Sequence, residues 1–171
     1  MAVKEIVIYP ADILKRKCQQ VEKFDDELKT LAEDMAETMY AAPGVGLAAN
    51  QVNVDAQVCV IDVAEDDESD LHVFVNPQII ARDGEIEWEE GCLSFPDILV
   101  NVNRNRKVTV RAQDVDGNFF EIEAEGLFAV AVQHELDHLN GVSLADKVGY
   151  LRKKMMLKDL QKIKKARQSA Q

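Results

Sequence analysis

Leu127-Phe128-Ala129-Val130-Ala131-Val132-Gln133-His134-Glu135-Leu136-Asp137-His138 is the stretch on which the reading of this chain turns. Its first six positions are all apolar, which alone suits a strand or a helix. The run continues into good helix formers and stops at Asn140-Gly141, so it predicts a buried helix over about residues 126–140. On that helix His134 and His138 lie one turn apart on one face and can bind a single metal ion, with Glu135 beside them as a base. This is the H-E-x-x-H pattern. A polar stripe on a surface helix would give the same spacing, but a helix apolar all round for two turns is normally buried. Buried imidazoles and carboxylates need partners, and a metal supplies one.

A divalent metal needs at least one more protein ligand. Downstream, no Glu follows Glu135 and no His follows His138, and Leu144 stands where some metallopeptidases carry a third His. Asp146 and Asp159 remain possible. Upstream, Glu90-Gly91-Cys92-Leu93-Ser94 offers a thiol.

Gly44-Val45-Gly46-Leu47-Ala48-Ala49-Asn50-Gln51, Glu90-Gly91-Cys92-Leu93-Ser94 and Gln133-His134-Glu135-Leu136-Asp137-His138 resemble the three signature motifs of the peptide deformylase family, in that family's order. The resemblance extends over essentially the whole chain. It implies a metal held by Cys92, His134 and His138, with the fourth position of a tetrahedral site left to water. It also implies Glu135 as the group that accepts the water proton and passes it to the departing amine. By the same similarity, the Gln51 amide and the Leu93 backbone N–H stabilise the tetrahedral oxyanion, and losing one such donor typically costs about 3 kcal/mol of barrier.

The implied substrate is the N-formylmethionyl end of a nascent bacterial chain, with formate as a product. Val45, Leu127 and Val130 are the expected pocket for the Met side chain, with Trp88 as a wall. Gly46 and Gly91 would pair with the substrate backbone, and Glu90 is grouped with these substrate-binding positions. The ligand set admits zinc, iron, cobalt or nickel; the resemblance points to Fe(II). Where some family members carry an Arg beyond the Cys motif, this chain has Ile98-Leu99-Val100, and it has Pro43 where some carry an acid. An ion pair bracing the site entrance there is not carried over. Arg104, the nearest basic residue, is assigned to Asp137.

Two other classes are weighed against this reading. An H-E-x-x-H metallopeptidase would share the base and the metal but normally takes a downstream ligand, which this chain lacks. A non-catalytic zinc protein would usually close its site with a fourth protein ligand, and none is evident.

The 171 residues suit one domain spanning 1–171, long enough to bury a core without disulfides. Cys18, Cys59 and Cys92 are too few and too scattered for a disulfide framework, and the N-terminus lacks a long apolar segment, so a cytoplasmic protein is expected, with no membrane partner. Net charge is −11, which disfavours a general or sequence-specific nucleic-acid surface. The end of the chain is different: Lys158, Lys162, Lys164, Lys165 and Arg167 crowd a segment whose acids are only Asp146 and Asp159. The resemblance implies that this C-terminal helix docks near the ribosomal exit tunnel.

The remaining pattern predicts an α+β fold: mixed or antiparallel β-sheets surrounding the central metal-binding helix, with an N-terminal amphipathic helix and a C-terminal helix. Leu28, Leu31, Met35 and Met39 give helical spacing over 26–40 behind Asp25 as N-cap. Strands are expected at 56–63, from His72 to a stop at Asn76-Pro77, and over 78–90 with a turn at Asp83-Gly84. Phe95-Pro96 reads as a break, and 108–112 and 119–124 as a hairpin about Asp116-Gly117. Residues 64–70 read as an acidic connection, Cys59 as a core residue and His72 as structural. Over 149–167, Leu151, Met155, Leu160 and Ile163 are the expected apolar contacts.

Overall fold

The computed structural model describes residues 2–65 and 68–169. In chain order these form a 3-10 turn at Asp12–Lys15, α1 at Asp26–Ala41, β1 at Gly46–Ala48, a 3-10 turn at Ala49–Val52, β2 at Val58–Ile61 and β3 at His72–Asp83. Then come β4 at Ile86–Cys92, β5 at Phe95–Arg104, β6 at Lys107–Gln113, β7 at Phe119–Glu125, α2 at Leu127–Leu139, a 3-10 turn at Leu144–Lys147 and α3 at Tyr150–Ser169. The strands make one sheet in the order β1-β2-β3-β6-β7 and a separate β4-β5 ribbon, antiparallel at every pairing. The architecture is α+β. Of the acidic connection expected over 64–70, Asp66 and Asp67 lie outside the described residues.

β2 is buried at all four positions, and the alternation of its side chains divides the core. Cys59 and Ile61 join Phe74 with Val132, Leu136 and Leu139 of α2. Val58, Val60 and Val75 face the other way, onto Leu28, Met35 and Met39 of α1. The central strands are therefore sandwiched between the two helices. α1 starts where expected: the Leu28 N–H donates to Asp25 Oδ1 at 3.1 Å. A third cluster, with Phe95, Ile98, Val100 and Val102 of β5, is covered by Met156 and Leu160 of α3.

α2 is buried from Ala129 to Leu139 except at Asp137. It ends at Asn140 and Gly141, whose φ of 77° is open to glycine at little cost. A methyl group there would also lie 2.8 Å from the Lys15 carbonyl oxygen. Gly141→Ala should therefore destabilise the fold by more than about 1 kcal/mol, read as a lower denaturation midpoint at unchanged slope. An unchanged midpoint would show that the backbone relaxes freely here.

Three expectations are corrected. β3 does not stop at Asn76-Pro77 but runs through it, with a register shift between Val75 and Gln78. A bulge absorbs the missing proline N–H, and Asn76, at φ 51°, ties itself to both backbone groups of Val21. Phe95-Pro96 is not a break but the start of β5, whose alternate residues Ile98, Val100 and Val102 point inward. In α3 the buried residues are Met156 and Leu160, whereas Leu151 and Met155 are 75% and 57% exposed. Leu160 is buried as expected; the residues that pack beside it are Met156 and Leu157, in place of Leu151 and Met155.

Candidate metal centre and active site

The 3-10 turn after β1, the end of β4 and the middle of α2 converge. His138 Nε2 lies 3.2 Å from His134 Nε2 and 3.1 Å from Cys92 Sγ, and one ligand atom from each of the three residues lies within 4.8 Å of the others. His134 Nδ1 lies 2.8 Å from Glu90 Oε1. That carboxylate can only accept, so it fixes the proton on Nδ1 and turns the Nε2 lone pair toward Cys92 and His138.

Imidazole lone pairs and a sulfur this close repel one another unless something positive lies among them. The electrostatics agree. Burial alone would lower the His134 pKa, yet the Glu135 carboxylate, the Cys92 sulfur and Glu90 raise it well above its ordinary value: the cluster has a surplus of negative charge. Burial, His134 and Arg104 hold His138 well below the usual range, so it stays neutral. Two imidazoles and a thiol that can share one cation fit a divalent metal, and three donors leave room for a reactant.

Glu135 lies beside this cluster and is 4% exposed. Its Oε1 has no hydrogen-bond partner among the described residues, and its other oxygen rests against the backbone of Gly46, where a Cβ would overlap it. Burial pushes its pKa up to about 7, with His134 opposing and Glu90 adding to the rise. Gln51 is oriented from both ends. Its Oε1 accepts from the Ala48 N–H at 2.9 Å, and its Nε2 faces Ser94 Oγ at 3.1 Å and Cys92 Sγ at 3.6 Å. Ser94 Oγ in turn donates to the Val7 carbonyl.

The profile of the polypeptide deformylase family matches residues 3–154. The chain belongs to the polypeptide deformylase family. It is 50% identical over 149 residues to a peptide deformylase of Syntrophobacter fumaroxidans, covering 86% of this chain and 88% of that one. It is 47% identical over 168 residues to one of Phenylobacterium zucineum, covering 97% and 99%. Among solved structures, a peptide deformylase from Legionella pneumophila superposes with a TM-score of 0.92 at 44% identity, over 97% of this chain and 98% of that one.

The three segments that resemble deformylase signatures are the three that converge on the cluster. A groove of about 1270 Å³ opens above it, lined among others by Val45, Trp88, Leu93, Leu127 and Val130, with Gly46 and Gly91 on its walls. Glu90 also lines the groove, but its carboxylate is turned into the fold: it is 5% exposed, and its two oxygens accept from Arg104 Nε and Nη2, each at 2.9 Å, while one also meets His134. Buried beside a guanidinium, the carboxylate does better paired than facing a ligand. Despite its burial, Arg104 and His134 hold its pKa below the ordinary value.

Arg104 reaches Asp137 with its remaining nitrogen, so one guanidinium joins Glu90, behind His134, to the exposed side of α2. Sequence reasoning missed the Glu90 half of this link. The signal was available: Ile98, Val100 and Val102 alternate inward, and Arg104 is the next position in that series. Also missed was Asn50, whose amide donates to the His138 carbonyl at 2.6 Å. Nothing in its local sequence indicates that partner.

Proposed function

We propose that the chain hydrolyses the formyl amide at the N-formylmethionyl end of nascent peptides and releases formate. The observation that carries this reading is an unpaired, buried Glu135 beside a Cys92–His134–His138 triangle at the floor of a groove, in a chain of the deformylase family. In this reading those three residues hold one divalent ion. When bound, such an ion lowers the pKa of water toward about 7 and polarises a carbonyl.

The chain's own residues supply the rest. Glu135, poised near neutrality, takes a proton from the attacking water and returns it to the departing amine. The Gln51 Nε2–H, held in direction by the Ala48 N–H, donates to the oxygen that gains charge, together with the Leu93 N–H. β1 is an edge strand, and β4 has only β5 as a partner; an extended peptide can lie between their free edges, where Gly46 and Gly91 put no side chain in its way. Val45, Leu127 and Val130 receive the Met side chain, with Trp88 beside it.

A thiolate and two imidazoles admit zinc, iron, cobalt or nickel alike; it is the likeness to the deformylase family that points to Fe(II) as the native ion. A cytoplasmic setting is consistent with a working thiol, and no helix among the described residues is long and apolar enough to cross a membrane. Formate release from a formyl-Met peptide, measured beside cleavage of the same peptide without its formyl group, tests the assignment. Cleavage of the internal peptide bond would favour an H-E-x-x-H metallopeptidase.

The basic face of α3 supports docking to ribosomal phosphates, an attraction that falls steeply with salt. Removing α3 would strip Met156 and Leu160 from the core, so charge substitution is the cleaner test. Replacing Lys158, Lys162, Lys164, Lys165 and Arg167 with Gln should abolish low-salt co-sedimentation with ribosomes and leave turnover of a short peptide within about twofold. Undiminished co-sedimentation would reduce the basic face to a solvated surface.

A further inference from the structure

α2 has a second lined face. Gln133, Leu136, Asp137 and Asn140 turn away from the catalytic groove and form one wall of a separate hollow of about 640 Å³. β3, the end of β5, and the segments carrying Lys17 and Lys147 close its other sides. The volume falls in the usual range for small-molecule sites, about 300–1,000 Å³.

The charge of this hollow runs against that of the protein. The chain has 31 acidic residues against 20 basic ones, yet the hollow is lined by Lys17, Arg82, Arg104 and Lys147 and by a single carboxylate, Asp137. Two of these cations are accounted for by the fold. Arg104 is held by Glu90 and Asp137, and Lys147 lies 3.4 Å from Asp137. Lys17 and Arg82 make no ion pair among the described residues; Arg82 has only the Asn105 carboxamide, at 3.2 Å. Counting Glu90 with Asp137 still leaves two positive charges in excess. In a concave site such an excess concentrates anions.

The uncharged lining narrows the ligand. Gln57, Asn76 and Gln133 spend their amides on the fold. Gln20, Gln78 and Asn103 also line the hollow and are exposed, with no partner for their amides among the described residues. Among the described residues no aromatic ring lines the cavity, so none of them stacks on a base there. Free carboxamides beside free cations suit a molecule with hydroxyls and a phosphate. The cations that only brace Asp137 need no ligand, but that role does not cover Lys17 and Arg82, which the fold brings to one cavity from distant parts of the chain.

We propose that this hollow binds a small phosphorylated, hydroxyl-rich metabolite of the sugar-phosphate class. Lys17 and Arg82 take the phosphate, and Gln20, Gln78 and Asn103 take hydroxyls. The site is distinct from the groove of hydrolysis, with α2 as the partition between them.

The test is titration calorimetry on the metal-loaded full chain, with ribose 5-phosphate, ribose and inorganic phosphate as separate probes. Ribose 5-phosphate should bind saturably at one site per chain, at least tenfold more tightly than either ribose or phosphate, and more weakly as salt rises. Lys17→Gln with Arg82→Gln should weaken it at least tenfold. Both side chains are exposed, so this variant should fold and should hydrolyse a short formyl-Met peptide like the parent. Gln78→Trp, which fills the hollow from β3, should weaken binding independently. Absence of saturable binding by ribose 5-phosphate, or equal binding by the parent and the double variant, overturns the site. Inorganic phosphate binding as tightly as the ester overturns the ligand class.

Discussion

Glu135→Gln should lower deformylation by roughly 100-fold or more, while the protein keeps its metal. The amide has nearly the same shape as the carboxylate, so the contact with Gly46 and the burial survive. What is lost is a proton acceptor in a pocket where Oε1 has no other partner among the described residues. The residue is not one of the three atoms converging near His138 Nε2, so metal content should equal that of the parent. The decisive measurement is turnover of a formyl-Met peptide at matched metal occupancy. Near-parental turnover would remove Glu135 from the role of base.

Cys92→Ala should have the second large effect, on metal rather than on the proton. Disturbing a residue behind a metal ligand already costs about 10- to 100-fold in affinity, so deleting the ligand itself should cost more than about 100-fold and leave the purified protein nearly metal-free. Cys59→Ala is the control. Burial, aided by the Glu135 charge, raises the Cys59 pKa well above that of an ordinary thiol, which keeps it a neutral core residue. That variant should retain its metal and lose only packing. Equal metal content in the two variants would overturn the ligand set.

What could be read from the sequence, and what could not, follows from how local each signal is. α2 was legible to within a residue or so, because an apolar run, a histidine pair at one-turn spacing and an Asn-Gly stop all fall inside one segment. Asp25 and the Leu28–Met39 stripe located α1 for the same reason. β5 was missed because Phe95-Pro96 reads as punctuation, while the strand is specified by its partner β4 and by α3 beneath it. The Asn76-Pro77 bulge depends on Val21, far away in the chain. In the site, Glu90 adjoins the Cys motif and was read with the substrate positions; the partner of its carboxylate, Arg104, lies on β5 and could be found only through that strand. α3 was recognised and Leu160 was placed correctly, but Met156 was not chosen over Leu151 and Met155, since neighbouring apolar positions are equally plausible until the core selects among them.

Cys92 belongs to the β4-β5 ribbon, whereas His134 and His138 ride on the helix packed against the larger sheet. An ion gripped by all three ties together parts of the chain up to 46 residues apart, and its binding free energy is shared with the fold. At a free concentration one hundred times its dissociation constant, such an ion adds about 2.7 kcal/mol, a large share of the ~5–15 kcal/mol that holds a typical domain together. In a cell starved of the ion, the ribbon would then part from the helix more often, and the opened chains would be the ones that proteases remove. Metal supply would thus set how many copies survive as well as how fast each one works, and a shortage would be repaired by new synthesis rather than by reloading alone.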